Sequence, residues 1–349
     1  MIKRVRTKDY NYDFHFDTGL FIRWGNMLQD DPAFSPLGPE LLDIEVSTIC
    51  SGIDRKPCPW CYKSNTRKGE NMSLDTFKTI FNKLPKNLTQ IAFGIGDIDS
   101  NPDLFKIFKY CRVNEHNKVV PNVTVNGWNI TNKYADKLAS LCGAVAVSNY
   151  DKDTCYDAVQ KLTERIDIND NPLKQVNIHQ LTALETFQSC NEVIKDKLED
   201  PRLKKLNAII LLAYKRKGRG TQFHSLPEDK FKELVDYSLI HNISIGMDSC
   251  SAFKFLSCIK NHPQYKQFET LVEPCESGLF SFYINVKGIS YFCSFLENEP
   301  NIPYFDVLGC QDFMKNVWFH PKMIDWRKNL LTTAHKNELN CRTCPHHEV

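Results

Sequence analysis

The sequence predicts an α/β fold: a partial (βα)6 TIM-like barrel followed by a small cysteine-rich C-terminal module. Three observations predict it. Short β-rich runs alternate with amphipathic runs of helical period from residue 41 to about residue 250, the pattern of parallel strands joined by crossover helices. Within the strand runs, polar and apolar residues alternate, so one face is reserved for the apolar side that helices must cover. Past residue 250 the rhythm stops, and Pro-punctuated loops and cysteines take over.

The elements follow in order. Residues 1–40 form an aromatic-rich arm, a candidate cap on the barrel. The barrel spans 41–250, with strand candidates LLDIEVS, QIAFGIGD, PNVTVNG, GAVAVSNY, QVNIHQLTA, NAIILLAYK and ISIGMDSC. Between them lie helix candidates SLDTFKTIFNKL, DLFKIFKYCR, NKYADKLASLC, TCYDAVQKLTERI, FQSCNEVIKDKL and PEDKFKELVDYSLIHN. Ser73 and Thr131 suit helix N-caps, and Pro227 suits a first helical turn. Six such repeats and one further strand make a partial barrel or an open sheet. Residues 251–349 read as an appended module and not as more barrel. It opens on a hairpin, FSFYINVKGISYFCSF, with Lys287-Gly288 as a two-residue turn, and continues with helices near 311–318 and 321–336.

Alternation assigns the strand faces. Asp43, Glu45 and Ser47 oppose Ile44 and Val46; Thr124 and Asn126 oppose Val123 and Val125. Ala144, Ala146 and Ser148 oppose Val145 and Val147, and Asn177 and His179 oppose Val176 and Ile178. A polar set therefore points into the barrel, richest at the C-terminal strand ends where such folds hold their active sites. Glu45, Asn177 and His179 are the substrate-facing candidates; the plainer reading of each is a hydrogen-bonded interior polar residue.

Composition narrows the function. The 349 residues are 42% hydrophobic and 25% charged with a net charge of +2, which gives no sign of a nucleic-acid or membrane-surface protein. The basic N-terminus lacks the apolar stretch of a signal peptide, and no apolar run reaches the roughly 18 residues of a spanning helix. The expected location is cytoplasmic. In a reducing compartment, the chain's 14 cysteines point to metal binding before disulfides. Scattered ones have a duller reading. Leu104, Ile107, Phe108 and Cys111 follow helical spacing, so Cys111 is core, as are Cys142, Cys155 and Cys190.

Clustered cysteines differ. TICSGIDRKPCPWCYKS places Cys50, Cys58 and Cys61 in one loop directly after the first barrel strand. Three thiolates can hold three irons of a [4Fe–4S] cube and leave the fourth open, whereas a structural zinc wants four closed ligands. Spacing alone leaves the open cluster, zinc and adventitious cysteines as alternatives.

This loop, with Trp60 just before its last cysteine, resembles the radical S-adenosylmethionine (SAM) superfamily. AFGIGDIDSNPDLF is similar to that family's glycine-glycine-acid segment, with Gly94, Gly96 and Asp97 at its positions; their backbone would bind the methionyl amino group. VTVNG and AVSNY place Asn126 and Ser148 where the family contacts ribose and carboxylate. Two departures stand out. Seven residues separate Cys50 from Cys58 where three are usual, and Asp97 stands where glutamate is commoner. Further on, Cys275 to Cys293, with Gly288 followed by four residues and then cysteine, and Cys341-x-x-Cys344 together resemble the auxiliary-cluster modules called SPASM or, in shortened form, twitch. The resemblance implies one auxiliary [4Fe–4S] cluster on Cys275, Cys293, Cys341 and Cys344. Zinc is the alternative there, and Cys250 a possible substitute ligand. His346 and His347 read as tail residues. KRKGRG, 215–220, reads as a solvated loop, or otherwise as a contact to cofactor carboxylate or an anionic substrate.

The resemblance implies an enzyme that reductively cleaves S-adenosylmethionine to a 5′-deoxyadenosyl radical and abstracts hydrogen from a substrate. Oxidation or cross-linking of a peptide or small molecule is the leading subtype. The electron would come from a low-potential donor of flavodoxin or ferredoxin type. The rival readings are a nucleoside- or RNA-modifying enzyme of the same superfamily, and a non-catalytic zinc or iron–sulfur binding protein.

Overall fold

The computed structural model describes residues 1–166, 170–173 and 175–348, so Val349, the end of the expected module, lies outside the described residues. Three short strands come first: β1 (Ile2–Arg6), β2 (Asn11–His15) and β3 (Phe21–Trp24), paired antiparallel in that order. The barrel then runs β4 (Leu41–Glu45), α1 (Leu74–Phe81), β5 (Gln90–Gly94), α2 (Leu104–Val113), β6 (Val120–Val125), α3 (Asn132–Leu141) and β7 (Ala144–Ser148). It continues through α4 (Lys152–Thr163), β8 (Gln175–Thr182), α5 (Phe187–Glu199), β9 (Ala208–Ala213), α6 (Glu228–Ile240) and β10 (Ile245–Met247). Each of β4 to β10 pairs parallel with its successor, and among the described residues β10 does not close back on β4. An open (βα)6 barrel with one further strand results, as the alternation predicts.

Strand faces divide as the sequence implies. Leu42, Ile44, Ile91, Phe93, Val123 and Val145 are buried in the main core under the helices, each contributing roughly 1.5–3 kcal/mol of apolar transfer. The helices start where caps place them. Ser73 Oγ accepts from Thr76 N and Thr131 Oγ1 from Tyr134 N. Asp151 caps Thr154 N, so α4 starts at Lys152, two residues before its predicted start. Pro227, expected inside the first turn of α6, stands just before it.

The aromatic arm closes the N-terminal end of the barrel. Tyr10, Tyr12 and Phe14 project from one side of β2 into a second core with Leu279, Phe280 and Leu330. Tyr12 Oη donates to Asn87 O (2.6 Å), Lys3 Nζ to Leu88 O (2.7 Å) and Gln175 Nε2 to Thr18 O (2.8 Å), all at or just before the starts of β5 and β8. The opposite end, where the cysteine loop lies, is left to other elements.

After β10 come α7 (Ala252–Cys258), α8 (Tyr265–Glu269), β11 (Ser281–Ile284), β12 (Ile289–Tyr291), β13 (Phe305–Asp306) and α9 (Pro321–Thr333). Here three expectations are corrected. The tail does not stand apart from the barrel sheet: β11 pairs parallel with β4, Ser281 opposite Leu41, so the sheet runs on through β12 and β13. An unclosed barrel leaves β4 with a free edge, and β11 satisfies its hydrogen bonds. The β11–β12 turn is not two residues. Asn285 N bonds Ile289 O across a three-residue loop, Val286–Gly288, with Gly288 at φ 77° in the left-handed position such loops require. The expected 311–318 helix is a π-helical turn at Met314–Trp318, and the 321–336 helix tightens to 3₁₀ at Ala334–Lys336.

Removing the Thr131 hydroxyl (Thr131→Ala) is expected to lower stability by about 1 kcal/mol, with Thr131→Ser near wild type, as read by urea unfolding.

Candidate active site and metal centre

The cysteine loop leaves β4 at the C-terminal mouth of the barrel and lies on the turn after β5. Contact there is tight. A Cβ on Gly96 would stand 2.5 Å from Cys50 Cβ and 2.8 Å from Cys50 Sγ, so only glycine admits the loop. Asp97 fastens it: its carboxylate accepts from Ser51 N (2.8 Å) and from Asn126 Nδ2 (2.8 Å), and Asn126 Nδ2 also lies 3.9 Å from Cys50 Sγ. Gly94 is different, since a Cβ there would make only ordinary contacts at 3.7–3.9 Å.

The three thiols of this loop are neighbours. Burial pushes the Cys58 thiol up to about 11, with Cys50 and Cys61 adding to it and Arg219 opposing. Burial also raises Cys50, where the Gly52 backbone N–H and Asn126 pull the other way. Trp60 packs against Tyr150 (centroids 5.8 Å) and Phe223 (6.0 Å), and its indole N–H is buried without a hydrogen-bond partner among the described residues. Tyr150, packed on Trp60, donates its backbone N–H to Ser148 O (3.0 Å), so Ser148 belongs to the same mouth. Tyr150 was not singled out by sequence; its signal is its place two residues past the C-terminal end of β7.

The KRKGRG run is not a solvated loop. Arg219 donates its backbone N–H to Cys61 O (3.1 Å), Nε to Cys58 O (2.9 Å) and Nη2 to Asn65 O (3.1 Å). Lys215 is buried at the end of β9, bonded to Asp248 Oδ2 (3.0 Å) and lying over the Phe295 ring (4.1 Å). Burial pushes its ammonium down, and Asp248 and Cys250 override that and hold it charged. Such roles are invisible to a charge count, because the run supplies cations while only packing says what they face.

Glu45 is buried in a polar knot. Lys63 Nζ lies 3.2 Å from its Oε2, donates to Tyr283 Oη (2.7 Å) and contacts Glu297; Asn285 Nδ2 donates to Glu297 (2.7 Å). This knot ties β4 and the cysteine loop to the β11–β12 hairpin. His179 lies level with Ser148 across the β7–β8 pairing, and burial lowers its pKa to about 4, so it is neutral. Asn177 sits one inward position closer to the N-terminal end, where Asn207 Nδ2 donates to its Oδ1 (2.9 Å). The mouth thus gathers Ser148 and His179, while Asn177 is engaged deeper in the strand.

The expected tail cysteines are buried (Cys275, Cys341) or half-buried (Cys293, Cys344), and Cys250 is half-buried as well. Cys275 lies beside Cys250, Cys344 and Cys293, each pushing its thiol up further after burial has done most. Cys293 is pushed up to about 11 by burial, with Cys344 adding and Lys215 opposing. Cys341 precedes Arg342, whose Nε donates to Cys275 O (3.1 Å). The Cys341 thiol is buried in the main core and donates to Arg342 O (3.7 Å). Cys111, Cys142, Cys155 and Cys190 are core residues, as spacing predicts. Among the described residues, no three His, Cys, Asp or Glu side chains are already drawn into metal-binding geometry, so both groups are neighbourhoods of thiols and not closed ligand sets.

No family model and no curated protein matches the sequence. Solved structures do match. SuiB of Streptococcus suis bound to S-adenosylmethionine superposes with TM-score 0.62 at 14% identity, covering 87% of this chain and 72% of that one. SuiB bound to its precursor peptide SuiA gives 0.62 at 15%, covering 88% and 75%. anSMEcpe with bound AdoMet and Cp18Cys peptide gives 0.57 at 15%, covering 85% and 86%. The chain shares the fold of these S-adenosylmethionine-bound and peptide-bound structures. In this barrel the glycine-rich turn after β5 and the cysteine loop after β4 meet at the mouth, and the first barrel strand carries the added hairpin. Among the described residues no helix is long and apolar enough to cross a membrane.

Gly96→Ala is expected to unseat the cysteine loop at a cost of about 1–3 kcal/mol, seen as a lower urea midpoint. The neutral His179 gives a pH signature. Its folded pKa is below the unfolded value of 6.5, so its contribution is complete above pH 6.5 and lost as pH falls toward about 4. His179→Gln should therefore lose less stability than wild type over that window, by no more than about 3 kcal/mol, in urea melts across pH.

Proposed function

We propose that this chain is a radical SAM enzyme that abstracts hydrogen from a peptide or small-molecule substrate, with oxidation or cross-linking as the net result. One observation carries the reading: the Cys50 loop is seated on Gly96 and fastened through Asp97 to Asn126, so three thiols share the barrel mouth with polar strand ends. The likeness to SAM-bound and peptide-bound structures supports it.

The residues present fit a [4Fe–4S] cluster and SAM. Three soft thiolates suit iron, and the Trp60 indole N–H is a buried donor in need of an acceptor. Cys50, Cys58 and Cys61 would hold the cluster, and Gly94, Gly96, Asp97, Asn126 and Ser148 would bind SAM. When bound, this pair supplies an electron to the sulfonium and yields methionine and a 5′-deoxyadenosyl radical, with a flavodoxin- or ferredoxin-type donor as the source. Asp97, held by two donors, keeps the turn after β5 in one shape. Trp60, Tyr150 and Phe223 wall the mouth and exclude water, which a reactive radical requires. His179, neutral, offers hydrogen bonding to substrate without charge, while Glu45 sets the hairpin through Lys63.

For the auxiliary cluster, the grouping of thiols supports Cys250, Cys275, Cys293 and Cys344 as the ligands, with Cys341 a core residue. Clustered thiols kept for metal ligation suit a reducing compartment, so a cytoplasmic location is part of the proposal.

Anaerobic reconstitution, followed by iron and sulfide counts and a dithionite-driven assay for 5′-deoxyadenosine, tests the reading. About eight irons per chain and formation of 5′-deoxyadenosine are expected. Zinc without sulfide or deoxyadenosine would overturn it. Cys61→Ala should abolish deoxyadenosine formation and keep the second site's iron. Cys250→Ala should lose that iron and Cys341→Ala retain it; the reverse pair of results would restore Cys341 as the ligand.

A further inference from the structure

The run KRKGRG has a task beyond anything the radical SAM reading assigns, although the inference rests on that reading for what the cysteine loop holds. Three facts converge on its Gly-Arg-Gly core. Gly218 has φ 59°, and a Cβ there would stand 2.4 Å from Tyr62 O and 2.6 Å from Cys61 O. A Cβ on Gly220 would stand 3.1 Å from Trp60 O. Between them, Arg219 bonds the carbonyls of Cys58, Cys61 and Asn65. The two glycines let one backbone lie directly on the other, and the guanidinium then spans the loop from its second cysteine to four residues past its third.

The physical need is visible in the loop itself. Seven residues separate Cys50 from Cys58, and Asp54 and Arg55 within them adopt left-handed φ of 47° and 64°. A two-residue turn closed by Ile53 N to Lys56 O (2.9 Å) and Lys56 N to Ile53 O (2.7 Å) holds that conformation within the insertion, while contacts outside it hold the segment around the cysteines. At the Cys50 end Gly96 and Asp97 do so. At the Cys58–Cys61 end, the backbone carbonyls are met by Arg219.

We infer that Gly218-Arg219-Gly220 is a clasp that fixes Cys58 and Cys61 in a ligand-bearing arrangement, and that Arg219 is a positioning residue whose fixed charge raises the reduction potential of a cluster held there. A cation beside an iron–sulfur site favours the more negative, reduced form, and hydrogen bonds and charge near the sulfurs are established levers on potential. Arg219 thus faces the cysteine loop.

Two measurements test this. In the metal-free protein, Arg219→Ala should speed amide hydrogen exchange in the segment 58–66 about tenfold, the loss of two charged hydrogen bonds partly made good by water. Exchange in α2 should stay at the wild-type rate, which reports that the fold is intact. In reconstituted protein, Arg219→Ala should lower the midpoint potential of the cluster on Cys50, Cys58 and Cys61, and Arg219→Lys should restore the potential but not the exchange protection. Wild-type exchange and an unshifted potential in Arg219→Ala would overturn the clasp. Wild-type protein that takes up no iron or sulfide would overturn the enzyme reading instead, and the exchange experiment would still decide the clasp.

Discussion

The close approach of the cysteine loop to glycine backbone is the constraint on which the rest of the mouth depends. The loop has local turns of its own, at Ile53–Lys56 and after Cys58, and its neighbours fix where those turns sit. Gly96 admits Cys50 from below, and Gly218 and Gly220 admit the Cys61 end from the side. Each glycine belongs to a turn that follows a barrel strand, so strand register sets the loop's position. Asp97 adds direction: its two accepted hydrogen bonds join the loop to Asn126 at the end of β6. Three consecutive strand ends are locked together through one carboxylate.

The same economy appears on the other side of the loop. An open barrel has to protect the edge of its first strand, and here that edge pairs with the added hairpin. Parallel pairing of β11 to β4 carries Cys293, two residues beyond β12, to the barrel mouth. The Lys63–Glu45–Glu297 knot keeps that hairpin registered against the cysteine loop. Buried charges of this kind stabilise little on balance, because desolvation offsets much of their attraction, but breaking one leaves the others unpaired. Their consequence is a fixed geometry between two thiol groups.

The two ends of the barrel have divided their labour. Aromatic residues alternate on β2 and pack under the N-terminal strand ends, where hydrogen bonds to Asn87 and Leu88 seal the barrel. Polar inward residues accumulate at the opposite end. His179 and Ser148 stand level there, and burial keeps the imidazole uncharged.

Local chemistry determined much of this in the sequence itself. Period-two strands, period-3.6 helices and the caps Ser73 and Thr131 act within a few residues, so the β-α order, the inward faces and the core cysteines could be read without coordinates. The three-cysteine loop and the Gly94–Asp97 segment were legible for the same reason, each being a contiguous run. Tertiary structure decided the rest. Whether β11 joined the barrel depended on which strand edge was free, and no local pattern encodes that. Lys215 and Arg219 looked like solvated cations because charge says nothing about what a side chain will face. Cys250 comes near Cys275 because the chain folds back after β10, bringing residues far apart in sequence to one place. Periodicity and spacing act along the chain; partnership acts across it, and only the fold supplies that.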